Sequence, residues 1–237
     1  TQDRDVGAGL IHLPEAALSG YVKSQSPNRG SVDWDEVKDG RINIRETGAN
    51  LGYGLLQIAI IEWLGPTDRA TACSSSLQGK LITSYDKRYC SHSDITDWYW
   101  AGHHANIFSI DGFRIDCALC IEIQLPEVFR QYEQLDVDCV VFSAFCDDPM
   151  FWTQAQGDAG TNNLWGSVTT PAQFGTAVQS GLIGPHGYGL ARCEAKMTAQ
   201  LLRVELDKKS PDLHVALTKA RPWRCKARSR DIYKTDP

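Results

Sequence analysis

An Asp-Gly dipeptide between two apolar runs is the feature that most constrains the fold of this chain. Asp111-Gly112 separates Asn106–Ile110 from Phe113–Cys120. Such a pair between apolar segments is typical of a tight β-hairpin, because both turn residues must adopt positive φ. The sequence therefore predicts two antiparallel strands here, and the second of them ends at Cys120.

Apolar runs and helical patterns alternate along the rest of the chain. Helices are predicted over 44–61 and 126–135 from the spacing of apolar residues. Strands are predicted over 7–13, 71–75, 80–85, 137–145, 164–169, 181–183, 189–193 and 201–206. This alternation favours a mixed α/β sheet layered with helices over an all-β sandwich. A chain of 237 residues can form one large domain or two small ones, and we expect one domain over 1–237.

Composition excludes several classes of protein. Hydrophobic residues make up 42% and charged residues 22%, as in globular proteins and unlike disordered chains. The net charge of -5 comes without a basic stripe, so nucleic acid is not an expected partner. No run reaches the roughly 18 apolar residues of a membrane span, and the polar start does not resemble a signal peptide. We therefore expect a cytoplasmic protein without a membrane partner.

Two groups of residues allow more than one interpretation. The arginine- and lysine-rich segment 221–230 is either a small anion patch or a solvated tail or subunit contact, and the second is favoured. Cys117 and Cys120 form a CxxC pair, which suggests a redox pair or half of a zinc site. However, residues three apart in a strand point to opposite faces, and no second pair completes a metal shell. We expect no metal.

Cys120 is the first candidate for a chemical role. It ends an apolar strand just before a turn into a helix, and the positive end of a helix favours a thiolate. Taken alone, the cysteine is more often a small buried hydrophobic residue than a nucleophile. The choice between these two interpretations depends on the residues around Cys120 and on two other segments of the chain.

Three segments, in this order, resemble motifs of the carbon-nitrogen hydrolase (nitrilase and amidase) superfamily. They are the run LPEAALSGY with Glu15, the run SYDK with Lys87, and a stretch with Gly112, Cys120, Glu122 and Pro126-Glu127. Segments 183–187 (IGPHG) and 220–224 (ARPWR) also look like late segments of that superfamily. Three motifs in the same order are far more specific than any single residue.

The resemblance implies a role for each of these residues. Cys120 would be the nucleophile, Glu15 the general base, and Lys87 with the backbone N–H of Ile121 would stabilise the oxyanion. Asp94 and Asp97 compete for the place of a second acid beside the lysine. Glu122 and Glu127 are interpreted as supporting or helix-start carboxylates rather than reactants.

The resemblance also implies a fold and a reaction. The fold is a four-layer α-β-β-α sandwich of two mixed β-sheets. The first predicted strand begins at residue 7, which leaves open two alternatives, a fold with the superfamily's N-terminal strand and helix and a fold without them. The reaction is hydrolysis of a small aliphatic amide or N-carbamoyl compound, with water as the other substrate, no cofactor, and a homodimer or larger homo-oligomer as the assembly. The alternatives are a non-catalytic assembly protein of this fold, a true nitrilase, and a CxxC thiol oxidoreductase.

Overall fold

Strands and helices alternate along the computed structural model, which describes residues 9–21, 24–25, 31–50, 55–63, 68–75, 80–97, 100–230 and 232–233. The strands are β1 Leu10–Glu15, β2 Leu55–Trp63, β3 Asp68–Ser75, β4 Leu81–Asp86, β5 Phe108–Ile110, β6 Phe113–Leu119, β7 Cys139–Ser143, β8 Trp165–Thr169, β9 Gly181–Ile183 and β10 Gly189–Arg192. The α-helices are α1 Trp34–Asn50, α2 His92–Asp97, α3 Pro126–Gln134, α4 Met150–Asn162 and α5 Arg221–Ser229. No helix in these ranges is long and apolar enough to cross a bilayer.

The strands form two mixed sheets that lie face to face. One sheet has the order β1-β2-β3-β4, with β1 parallel to β2 and the other pairs antiparallel. The other has the order β10-β9-β8-β7-β6-β5, with β6, β7 and β8 parallel. β1 lies against β7 and β8, α1 contacts β2, and α4 contacts β8 and α3. This is the predicted four-layer arrangement, with helices outside two mixed sheets.

Side-chain alternation explains why the central strands are apolar throughout. In β7, Cys139 and Val141 pack in the core between the sheets, whereas Val140 and Phe142 pack against α3 and α4. Successive residues of a strand point to opposite faces, so a strand covered on both sides reads as a continuous apolar run. The segment 137–145 was predicted as a strand for this reason, and the prediction is confirmed.

The carboxyl ends of β1, β6 and β7 meet at one edge of the sandwich. Leu119 at the end of β6 pairs with Ser143 at the end of β7. The Ser143 hydroxyl donates to the carbonyl oxygen of Leu13 near the end of β1, at 3.0 Å. Residues that follow these three strands therefore lie close together, and they include Cys120.

The predicted hairpin at Asp111-Gly112 is confirmed. The two residues have φ of 49° and 79°, and they connect antiparallel β5 and β6. Both positive angles are those of a type I′ turn, whose twist matches that of the strands.

The predicted helix over 44–61 is wrong in its second half. α1 ends at Asn50, and the apolar residues from Leu55 onward belong to β2, which pairs with β1 and β3. Pairing on both sides selected the strand over the helical spacing. The start of α1 was also missed, although Asp33 accepts the backbone N–H of Glu36 at 3.0 Å, as an N-cap residue does.

Two further differences lie in the second half of the chain. The predicted strand over 201–206 has irregular backbone, and of its apolar side chains Leu201 and Val204 are exposed. Helix α4 was not predicted, because its buried face, which includes Phe151 and Trp152, is interrupted by polar residues and glycines. Neither segment carries a local signal that identifies its partners in the fold.

Candidate active site

Lys87 is a buried ammonium group between two carboxylates. Its Nζ lies 3.4 Å from Glu15 Oε1 and 3.1 Å from Asp94 Oδ2. The three residues are 1%, 8% and 2% exposed, respectively. Burial favours the neutral amine, but the facing Glu15, the Cys120 sulfur and Asp94 together raise the pKa of Lys87 well above its usual value. A charged lysine is therefore stable here, as a buried charge requires close partners.

The backbone around Lys87 is fixed by a close approach of another segment. Gly102 donates its N–H to the Lys87 carbonyl oxygen at 2.8 Å. A Cβ atom at Gly102 would overlap the carbonyl oxygen of Asp86, so a larger residue does not fit. The end of β4 is thus held in place before the lysine side chain enters the site.

Glu15 is the last residue of β1, and both of its oxygens are bound. Oε1 faces Lys87, and Oε2 accepts the backbone N–H of Phe145 at 2.9 Å. The strand turns directly after it, since Ala16 has φ of 59°. The carboxylate therefore lies between the two sheets at their shared edge, rather than in solvent.

Cys120 directly follows β6 and begins a 3₁₀ turn, Cys120–Gln124. Its φ is 49°, in the left-handed region that residues with side chains seldom adopt. Burial, and next the Glu15 carboxylate, raise the pKa of the thiol well above its usual value, and Lys87 only partly offsets this. In the resting protein the sulfur therefore keeps its proton although a helical turn follows it, because loss of hydration outweighs the favourable charges. A reaction of this sulfur needs a base.

The structure brings Glu15, Lys87 and Cys120 into one site. Glu15 and Lys87 each shift the pKa of Cys120, and Glu15 and Cys120 each shift that of Lys87. Asp94, in the first turn of α2, also accepts the backbone N–H of Ser91 at 3.2 Å, which orients its carboxylate. Asp97 ends the same helix, and its side chain lies outside the described part of the structure. Of the two candidates for the second acid, Asp94 is the one seen beside Lys87.

Glu122 binds the backbone segments that carry Lys87 and Cys120. It is fully buried, and its carboxylate accepts the Tyr85 hydroxyl at 2.8 Å. It also accepts backbone N–H groups of Arg88, Tyr89 and Leu119 at 2.7, 3.1 and 2.7 Å. One carboxylate thus joins the segment after Lys87 to the strand end before Cys120. Ile121 lies in the same 3₁₀ turn, directly after the sulfur-bearing residue, and Glu127 is exposed in the first turn of α3.

The sequence reasoning missed two aromatic neighbours and a second sulfur. Tyr21 stacks on Phe145 with ring centroids 4.3 Å apart. Burial is the largest cause that raises the pKa of the Tyr21 hydroxyl, and the charges of Glu15 and Cys120 raise it further. The hydroxyl therefore keeps its proton. Cys146 follows Phe145, and its charged form would disfavour a thiolate at Cys120. The signals were present, since Tyr21 ends the LPEAALSGY motif and Cys146 follows the predicted strand 137–145.

The CxxC pair is divided between two environments. Cys117 packs in the core between the sheets, and Cys120 packs against the cluster under α3 and α4. The two side chains therefore point to opposite faces, as predicted from their spacing. Among the described residues, no three His, Cys, Asp or Glu side chains are grouped as a metal site.

Two surface cavities lie away from these residues. One, of about 390 Å³, lies beside Asp136, Asp138 and Arg221. The other, of about 460 Å³, lies beside Trp152 and Arg192. Neither is lined by Glu15, Lys87 or Cys120, so the site is identified by its buried charges and strained cysteine rather than by cavity size.

Comparison with known proteins identifies the fold. No family model and no curated protein sequence matches the chain. Among solved structures, the NitN amidase of Nesterenkonia sp. AN1 superposes with a TM-score of 0.72 and 20% identity, over 92% of this chain and 86% of that chain. A mutant of that amidase with the acetamide moiety of fluoroacetamide covalently added at its active-site cysteine has a TM-score of 0.69 and 20% identity, over 80% and 74%. A further mutant, described as an amidase from the nitrilase superfamily, has a TM-score of 0.68 and 18% identity, over 80% and 75%. The chain therefore has the fold of the nitrilase-superfamily amidases.

Proposed function

We propose that this protein is a cysteine-dependent hydrolase of carbon–nitrogen bonds other than peptide bonds, acting on a small aliphatic amide or an N-carbamoyl compound. The observation that carries the proposal is the buried Lys87, held 3.4 Å from Glu15 and 3.1 Å from Asp94, in electrostatic contact with Cys120. Burying three charged groups next to a thiol is costly and is typical of an active site. The shared fold with amidases that carry an active-site cysteine agrees with this reaction class.

In the first half of the reaction, Glu15 takes the proton of the Cys120 thiol as the sulfur attacks the carbonyl carbon. A base is needed because burial keeps this thiol protonated. The carbonyl oxygen becomes negative, and the Lys87 ammonium and the backbone N–H of Ile121 stabilise it. A positioned donor of this kind lowers the barrier by about 3 to 4 kcal/mol.

In the second half, the protonated Glu15 gives its proton to the leaving nitrogen, and the carbon–nitrogen bond breaks. Ammonia or an amine leaves, and the acyl group stays on Cys120 as a thioester. Glu15 then takes a proton from water as the oxygen attacks the thioester. Collapse releases the acid, and the proton returns to the sulfur. Asp94 holds Lys87 in position through both halves.

The test is ammonia release from a panel of short aliphatic amides, N-carbamoyl amino acids and nitriles, with intact mass recorded in the same reactions. We expect release from at least one amide or carbamoyl compound and a transient acyl adduct on Cys120. Cys120→Ala should lower the rate by at least about a thousandfold, because it removes the nucleophile. Cys146→Ser is the matched control, since it changes a neighbouring sulfur and should keep activity. Failure of every compound, together with an unreactive Cys120, would contradict the proposal.

The same panel separates the other functions. A true nitrilase would release ammonia from nitriles and not from amides. A CxxC oxidoreductase would lose activity equally on Cys117→Ser and Cys120→Ser, whereas the hydrolase depends on Cys120 alone. A homodimer or larger assembly stays a prediction, for which size-exclusion chromatography with light scattering is the measurement.

A further inference from the structure

His12 links the two sheets through both of its ring nitrogens. It lies in β1, and its Nδ1 is 2.9 Å from the Ser167 hydroxyl in β8. Its Nε2 is 2.8 Å from the Ser143 hydroxyl in β7 and 3.1 Å from the Thr169 hydroxyl in β8. A histidine in this position cross-links three strands of the fold, and two of them end at the active site.

Counting hydrogens fixes the form of the imidazole. The hydroxyls of Ser143 and Thr169 both donate to the carbonyl oxygen of Leu13, at 3.0 and 3.1 Å. Each hydroxyl has one hydrogen, so neither has another for Nε2, which must therefore carry a hydrogen and donate. Nδ1 then accepts from Ser167. Burial lowers the pKa of His12 to about 3, which agrees with a neutral ring.

The Leu13 carbonyl is the point at which this network holds β1. The pairing of β1 with β2 shifts register between His12 and Glu15, and Pro14 between them has no N–H to donate. The carbonyl of Leu13 bonds instead to the six-stranded sheet through Ser143 and Thr169. Glu15 lies two residues after Leu13, and Phe145 lies two residues after Ser143. These two residues are also joined, since Glu15 Oε2 accepts the N–H of Phe145 at 2.9 Å.

We propose that His12, through Ser143 and Thr169, is a positioning residue that fixes the end of β1 on the six-stranded sheet and so holds Glu15 within reach of Cys120. This inference rests on the proposed function, in which Glu15 removes the thiol proton. The Nε2 donor orients two hydroxyls toward one carbonyl oxygen, and that carbonyl fixes the residue two positions before the base. Loss of the donor frees both hydroxyls to rotate and loosens the strand end.

The expected effect is on the reactivity of Cys120 rather than on stability alone. A displacement of about 1 Å in a catalytic group lowers a rate by up to roughly a hundredfold. Alkylation of Cys120 by iodoacetamide needs the same proton removal as the first step of hydrolysis, and it needs no knowledge of the natural substrate. Intact mass and peptide mapping distinguish Cys120 from Cys225, which is exposed and is expected to be alkylated as well.

The experiment measures the second-order rate of Cys120 alkylation between pH 6 and 10 in the full chain. His12→Leu should lower the rate at pH 7 by about tenfold or more, and the loss should become smaller toward pH 10, where hydroxide can remove the thiol proton without Glu15. His12→Gln, whose amide can donate from the position of Nε2, should restore most of the rate. The double variant Ser143→Ala/Thr169→Val should reproduce the defect with His12 intact, and it serves if His12→Leu does not fold.

Val141→Ala is the control for a purely structural effect. Val141 lies in the same core between the sheets, two residues before Ser143, and has no part in the hydrogen-bond network. It should lose stability, measured by urea unfolding, without a change in the alkylation profile. A folded His12→Leu protein with the wild-type profile, or a Val141→Ala protein with the same defect, would overturn the inference.

Glu15→Gln separates failure of this inference from failure of the proposed function. If Glu15→Gln slows alkylation and His12→Leu does not, only the role of His12 is wrong. If Glu15→Gln leaves alkylation unchanged, Glu15 is not the base, and the proposed function falls together with the inference.

Discussion

At the scale of single residues, the site depends on which charges face Lys87. The motifs around Glu15, Lys87 and Cys120 were visible in the sequence because each is a short run with a fixed order. The choice between Asp94 and Asp97 was not, since both lie in one short helix and only its orientation decides which carboxylate meets the ammonium. In the structure Asp94 Oδ2 lies 3.1 Å from Lys87 Nζ.

We expect Asp94→Asn to lower the rate of hydrolysis by about tenfold or more, because Lys87 keeps only one of its carboxylate partners and moves away from the oxyanion position. Asp97→Asn is the matched control, one helical turn further on, and should have less than a threefold effect. Rates measured for both variants at one pH decide the matter. Equal losses in the two variants would show that the assignment to Asp94 is wrong.

Asp158 in α4 allows a prediction of pH dependence. It is 8% exposed, and burial raises its pKa from 3.8 to about 7. The folded state therefore holds this proton more tightly than the unfolded state, and the free energy of unfolding falls as pH rises from about 4 through 7. Asp158→Asn should remove this loss and stabilise the protein at pH 8 by at least about 1 kcal/mol.

The measurement is urea unfolding of wild type and Asp158→Asn at pH 5 and pH 8. Wild type should lose stability between these values relative to the variant, while the exposed Asp39→Asn should follow wild type. A variant that is less stable than wild type at both pH values would show that the carboxylate is ionised and paired in the folded protein.

At the scale of elements, local signals predicted those parts of the fold that local chemistry decides. The Asp111-Gly112 turn and the proline at the first turn of α3 fix their own backbone, so β5, β6 and α3 were found from the sequence. The segment after Asn50 and the segment 201–206 depend on which strands they can pair with. That information lies in distant residues, and both predictions failed for this reason.

The buried carboxylate of Glu122 connects the segment after β4 to the end of β6. Glu122→Gln places an amide NH₂ among backbone N–H donors, so at least one of them loses its acceptor in a buried position. We expect a loss of about 2 to 4 kcal/mol in the free energy of unfolding, together with slower Cys120 alkylation. Glu127→Gln, at an exposed position of α3, should change stability by less than about 0.5 kcal/mol. Chemical denaturation of the two variants is the measurement, and equal effects would contradict this role.

At the scale of the whole molecule, the cationic C-terminal segment stabilises the fold of its own chain. Arg221 binds Asp136 and Asp138, and Arg228 binds Glu133 and the side chain of Asn162. Arg224 donates to the Asn163 side chain and to backbone carbonyls near the end of α4. The predicted solvated tail is therefore wrong, because the segment forms α5 and its arginines bind side chains of their own chain, whereas a subunit contact stays a prediction. The positive charges of this segment are evident in the sequence. Their acidic partners are not, because they lie 60 or more residues earlier in the chain.

Removal of Arg228 should destabilise the protein as a whole. Glu133 is 6% exposed and would be left without its ion-pair partner. We expect Arg228→Ala to lower the free energy of unfolding by about 2 kcal/mol, and Lys226→Ala, at an exposed position of the same helix, to leave it within about 0.5 kcal/mol. Thermal and urea unfolding provide the measurement. An Arg228→Ala protein as stable as Lys226→Ala would show that the helix packs without help from its charge.

The left-handed backbone conformation at Cys120 determines which substitutions this position tolerates. A glycine would occupy that conformation at lower free energy, and a β-branched residue at much higher free energy. Cys120 therefore has a backbone conformation that is unfavourable for a residue with a side chain. Related sequences that lack the proposed activity should carry glycine at this position more often than valine or threonine, and a Cys120→Gly variant should be more stable than the wild type.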